Sequence, residues 1–338
     1  MNLRDNFLDA LAGKDVEATP VACVTQSGVV EAMDKLGFYW PEAHKDPEMI
    51  VKLGASLYEY AGVECIRIPF CLTVEAEALG ADVNLGNKER TPEVEGSPFN
   101  SADEIDIPDD FLEQGRIPTV IKAIELAKEK YGGEVPIIVG VCGPFTLTGQ
   151  LLGVENLVRM LMNETEQVEE GLETSLDACM DYADLIVEAE PDAICMPEPT
   201  ASPELLNPMQ FGTLVKGALQ DYAEVIDIPK ILHICGSTQP IVKDMASIGW
   251  DGISVEEKLP FDVATKELAT VNDPSRLVGN VSTSQTIFRG TPEEVKAESK
   301  SALEKGADIL APSCGVSPLS PLANLKAMVE ARNEYYNL

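Results

Sequence analysis

The chain has only two histidines, and one of them, His233, stands two residues before Cys235 in the apolar stretch "ILHICG" (231–236). In an extended strand, residues i and i+2 point to the same side. An imidazole and a thiolate at that spacing face one ion together. Cys314, in "APSCGVSP", ends another apolar run, and Glu256 lies in "GISVEEK". One imidazole, two thiolates and a carboxylate or open fourth position suit Zn2+ of the catalytic kind. A His-x-Cys pair in an apolar strand is by itself more often core than ligand, because buried cysteines are common. Glu256 has an equally simple alternative, an ion pair with Lys258. The specific signal is therefore the pairing of His233 and Cys235 with Cys314 from the far end of the chain.

These residues need elements to bring them together. Eight short apolar runs read as strands: 21–26, 63–69, 136–142, 192–198, 230–236, 252–258, 276–282 and 307–314. Between them lie segments such as "IPTVIKAIELAKEKYGG" and "PEEVKAESKSALEKGA", with apolar residues at three- and four-residue steps, Pro or Ser/Thr ahead and Gly behind. Strands alternating with crossover helices predict an α/β chain closed into a (β/α)8 TIM barrel. An open doubly wound sheet is the alternative, but the first turn, "TQSGVV", has no GxGxxG. The prediction is one barrel domain over 1–338, with an N-terminal helical extension over 1–20. A long excursion over 71–135, rich in Pro, Asp and Glu, follows strand 2. In such a barrel the strand C-termini hold the active site, which places His233, Cys235, Glu256 and Cys314 at one mouth.

Composition sets the outer bounds. The net charge of −32 removes the basic footprint that nucleic acid or an anionic membrane would need. No apolar run approaches membrane-spanning length, and the acidic amphipathic N-terminus is no signal peptide, so the expected compartment is the cytoplasm. The eight cysteines form no CxxC pair and are expected to be reduced. The second histidine, His44 in "WPEAHKDPE", reads as a loop residue. Gly140, Gly143 and Pro144 read as shaping the mouth. A monomer or weak homo-oligomer is expected.

Several stretches together resemble the uroporphyrinogen decarboxylase-like superfamily: "VCGPFTLTGQLL" (141–152), "ILHICG" (231–236), "GWDGISVEEK" (249–258), "LVGNVS" (277–282) and "ILAPSCGVSPLSPLANLKAMVEA" (309–331). Within it the chain is similar to the methylcobamide:coenzyme M methyltransferases of methanogens, and "VTQSGVVEAMDKLGFYWPEAHKDPEMIVKLG" (24–54) resembles their N-terminal region. The true decarboxylases carry an arginine clamp for their substrate's carboxylates, whereas the matching stretch here is Thr25-Gln26-Ser27-Gly28.

The resemblance implies transfer of a methyl group from a methylated corrinoid protein to the thiol of coenzyme M. It implies one Zn2+ per chain at His233, Cys235 and Cys314, with Glu256 as a provisional fourth ligand. For the sulfonate of coenzyme M the candidates are Arg67, for its bidentate guanidinium, and Gln26, Asn280 and Ser282 as neutral donors. A salt bridge to the acidic surface is the alternative for Arg67. A decarboxylase, or a zinc-dependent transfer to another thiol, stands as the alternative activity.

Overall fold

A computed structural model describes residues 2–338. Seven parallel strands form one curled sheet in the order β1 (Ile66–Ile68), β4 (Ile137–Gly140), β5 (Ala193–Pro197), β6 (Lys230–Ile234), β7 (Gly252–Val255), β8 (Arg276–Val281) and β9 (Ile309–Pro312). Almost every residue in them is buried, because one face fills the barrel and the other packs on helices. Helices such as Ile117–Tyr131, Thr165–Glu188 and Pro292–Glu304 supply the crossovers. Thr291 starts the last of these with a capping box to Glu294, followed by Pro292. One hydrophobic core runs through the whole, from Phe7 to Met328.

The first expected strand, 21–26, is the departure. It closes the barrel between β9 and β1, but only Val21 forms a ladder bridge, to Leu310. On the β9 side, the Ala22 N–H donates to the Leu310 carbonyl (3.0 Å) and the Leu310 N–H to the Pro20 carbonyl (2.9 Å). On the β1 side, the Glu64 N–H donates to the Val21 carbonyl (2.7 Å). Further along, side chains replace the backbone ladder. The Cys23 N–H donates to Cys65 Sγ (3.2 Å), and Arg67 Nε donates to the Val24 carbonyl (3.3 Å). A regular strand cannot continue where a neighbour's side chains occupy its backbone groups.

The helix Leu3–Leu11 lies beneath the barrel. Asn2 caps it by accepting from the Asp5 N–H. Arg4 pairs with Asp192 just ahead of β5, and a Cβ on Gly252, at the start of β7, would meet Leu11 at 3.0 Å. The excursion after β1 contains a two-stranded hairpin, β2 (Val83–Asn84) with β3 (Glu93–Val94), that turns over the C-terminal face. Lys88 ties it down, pairing with Asp34 at 2.7 Å and sitting over the Tyr39 ring.

His44 is not an open loop residue. It is buried, with its ring stacked on Trp40 at 5.1 Å and 18°. The polar letters around it conceal an aromatic contact that only the folded loop makes. No helix among the described residues is long and apolar enough to cross a membrane.

Candidate metal centre and ligand cavity

β6 ends at Ile234, so His233 and Cys235 point from its C-terminal end into the barrel mouth, while Cys314 arrives two residues after β9. Ligand atoms of His233, Cys235 and Cys314 all lie within 4.8 Å of one another. Six of the eight cysteines are buried, whereas Cys235 and Cys314 are the two half-buried ones, open to the mouth. The two thiols are coupled. Cys314 is the acidic member: the hydrogen bond from Cys235 and the nearby His233 hold its thiol well below the usual range, while Cys235 is pushed up by the same bond. Burial lowers the pKa of His233, but the Cys314 charge and then Glu256 outweigh it and raise the net value. One thiolate held beside an imidazole and a second thiol is a donor set that a soft divalent cation completes by displacing the remaining protons. The ring orientation fits as well. His233 Nδ1 lies 3.0 Å from Ser254 Oγ, while the buried Nε2 has no hydrogen-bond partner.

Glu256 stands beside this group rather than in it. Its carboxylate is 3.6 Å from Lys258 and does not join the cluster of three. Burial raises its pKa, as does the Cys314 charge, against a hydrogen bond from the Gly236 amide.

A cavity of about 460 Å3 opens above the triad, within the size range of small-molecule sites. Its inner wall holds His233, Cys235, Cys314, Thr25, Gln26 and Arg67. The rest of its lining mixes apolar residues, Phe70, Leu72, Pro92, Val94 and Val154, with polar ones, Thr73, Thr91, Glu93 and Gln150. Arg67 is 2% exposed, and burial lowers its pKa. No carboxylate among the described residues pairs with it, and its Nη1 has no partner. The Thr25 hydroxyl on the same wall is also without one. Gly140 makes this arrangement possible, since a Cβ there would sit 1.8 Å from Arg67 Nη2. Gly143 likewise yields to the buried Glu198, which a Cβ would meet at 2.2 Å. The two glycines admit side chains of the protein and do not line the mouth.

The other expected donors divide. Gln26 lines the cavity, its Nε2 donating to the Val316 carbonyl (2.6 Å) and its Oε1 accepting from the Gly28 N–H. Asn280 and Ser282 do not line it. The Asn280 amide donates to the carbonyls of Glu256 (3.2 Å) and Leu259 (3.0 Å) and so shapes the loop after β7. Ser282 donates to Glu257 (2.7 Å) and caps the turn Thr283–Ile287 by accepting from the Gln285 N–H (3.2 Å). Both are spent on neighbouring loops, although β8 lies between the strands that carry the triad. Thr25 and Ser254 had no motif to mark them.

The family profile described as uroporphyrinogen decarboxylase (URO-D) matches residues 2–335, and the chain belongs to that family. Within the family, it is 44% identical to a protein of Methanosarcina barkeri called methylcobamide:CoM methyltransferase MtaA, over 99% of this chain and 98% of the relative. It is 33% identical to one of Methanosarcina mazei called methylcobamide:CoM methyltransferase MtbA, over 98% of each. A solved structure described as a methyltransferase from Methanosarcina mazei superposes with a TM-score of 0.96 at 42% identity, covering 99% of both chains.

Proposed function

We propose that this protein is a zinc-dependent methylcobamide:coenzyme M methyltransferase, moving a methyl group from a methylated corrinoid protein in the cytoplasm to the coenzyme M thiol. One observation carries the reading: a single cavity holds a His/Cys/Cys donor set and a buried guanidinium with no carboxylate partner. A buried cation left unpaired is costly, so its natural complement is an anionic ligand. A small molecule with a thiol at one end and a sulfonate at the other satisfies both features. The names of the near-full-length relatives supply the same substrate.

Bound zinc supplies a Lewis acid that keeps a substrate thiol in its nucleophilic, deprotonated form. The chain does the rest. His233, Cys235 and Cys314 would hold the metal, and the substrate thiol would be a further donor. Arg67, with Gln26 and the Thr25 hydroxyl, orients the anionic end, fixing which way the sulfur points. Glu256, outside the cluster of three and paired with Lys258, would be the fourth donor when no substrate thiol is bound. The apolar residues Phe70, Leu72 and Val94 on the cavity wall would limit water around the reacting sulfur.

Decarboxylation has less support. Arg67 is the one cationic side chain on the cavity wall among the described residues, which is too little for a substrate bearing several carboxylates. Transfer to a different thiol remains the competing reading. The deciding experiment joins metal analysis to a methylcobalamin:coenzyme M transfer assay. The expected result is about one zinc per chain, about one proton released on thiol binding, and loss of zinc and turnover in Cys235→Ala and Cys314→Ala. Cys142→Ala retains both. If Cys314→Ala keeps its zinc and full turnover, the reading fails.

A further inference from the structure

We propose that Ser254 is a positioning residue that fixes the tautomer and ring plane of His233, so that Nε2 is presented bare to the metal. The proposal rests on the zinc reading above. Its geometry begins in the sheet: β6 and β7 are parallel neighbours in which His233 stands directly opposite Ser254. Cross-strand partners point to the same face, so the hydroxyl is delivered beside the imidazole by register and not by a flexible loop. Ser254 is fully buried, and its Oγ lies 3.0 Å from His233 Nδ1. The other ring nitrogen, Nε2, is buried with no hydrogen-bond partner.

A neutral imidazole carries one N–H, and which nitrogen carries it is set by the partner of the other. With Nε2 turned to the Cys235 and Cys314 side, where the metal would displace any proton, the single proton of the neutral ring belongs on Nδ1 and is donated to Ser254 Oγ. Nε2 then offers a lone pair. Without that acceptor the proton is free to settle on Nε2, which blocks the nitrogen as a ligand.

The choice of a hydroxyl has its own logic. A carboxylate is a common outer partner of metal-bound histidine. Here Cys235 and Cys314 already bring two anionic ligands, with Glu256 nearby. A third anion behind the imidazole would crowd negative charge around a site that must still accept a thiolate. Serine orients the ring without adding charge.

The test uses Ser254→Ala and Ser254→Thr in the full chain, with wild type alongside. Chelator competition measures zinc affinity, and 15N NMR of the imidazole through a pH titration of the metal-free protein reports which nitrogen is protonated in the neutral ring. In Ser254→Ala, zinc affinity should fall about 10- to 100-fold, the imidazole proton should move toward Nε2, and excess zinc should restore turnover. Ser254→Thr, which keeps the hydroxyl, should recover both the tautomer and the affinity. If Ser254→Ala keeps wild-type zinc affinity and an Nδ1–H ring, the proposal is overturned. If the wild-type chain binds no zinc, the metal reading falls, while the NMR comparison still decides whether Ser254 sets the tautomer.

Discussion

Arg332 and Arg67 are equally buried, at 2% exposure each, and are wired in opposite ways. Arg332, on the helix Leu322–Tyr336, has every nitrogen employed. Nη1 donates to the Thr19 carbonyl (2.8 Å) and to Glu64 (3.1 Å), Nη2 meets the other Glu64 oxygen, and Nε reaches Asn333 (2.9 Å). Glu64 in turn accepts from the Val21 N–H (3.0 Å), so this pair fastens the last helix to the segment that closes the barrel. Arg67, which lines the cavity, has one side-chain bond, to the Val24 carbonyl, and its buried Nη1 has no partner. A buried charge that is fully paired is explained by the fold, whereas one that is not asks for something from outside. Burial alone does not separate the two cases; hydrogen-bond capacity does.

Substitutions at the two arginines should therefore move different measurements. The largest effect is expected for Arg332→Met, which strands Glu64 as an uncompensated buried charge. Denaturant unfolding should show a loss of about 3–5 kcal/mol, with turnover unchanged where the variant is folded. Arg67→Met should show no such loss. Instead, the apparent affinity for coenzyme M should fall about 10- to 100-fold, as expected for a charge-assisted hydrogen bond worth about 1.5–3 kcal/mol. A neutral thiol of similar size should be used almost as well as by wild type. If Arg67→Met destabilises the chain as much as Arg332→Met, the contrast collapses and Arg67 is only structural.

A smaller effect separates the two histidines. Burial, and secondarily Arg116, press the pKa of His44 down to about 3. The unfolded chain binds the proton near the ordinary value of about 6.5. The stabilisation from a neutral His44 is thus fully present above that value and is lost as pH falls toward 3. The slope is at most about 1.4 kcal/mol per pH unit. His44→Phe should flatten this part of the acid limb in thermal melts. An unchanged limb would mean that His44 titrates freely.

The sequence exposed the triad because strand spacing is regular: His233 and Cys235 share a face by the period of two, and barrel topology brings Cys314 to the same rim. Seven of the eight expected runs contain ladder strands for the same reason. The 21–26 run looked identical in composition, but its neighbour's Cys65 and Arg67 side chains take over its backbone bonds, and nothing in a local pattern reports that. Asn280 and Ser282 were placed correctly near a strand end, yet direction of donation depends on loops 256–259 and 282–285, which sequence periodicity does not describe. Ser254 was invisible from the opposite cause. Its role comes from the register of two strands, a property of the pair and not of either segment.

The barrel seam has one more consequence. Between β9 and β1 the cylinder is joined partly by side chains, and one of those joints is the guanidinium whose free edge faces the cavity. Whatever takes hold of that guanidinium therefore also touches the seam that closes the barrel. Ligand binding and barrel closure thus share one side chain, on the wall that also bears Thr25 and Gln26.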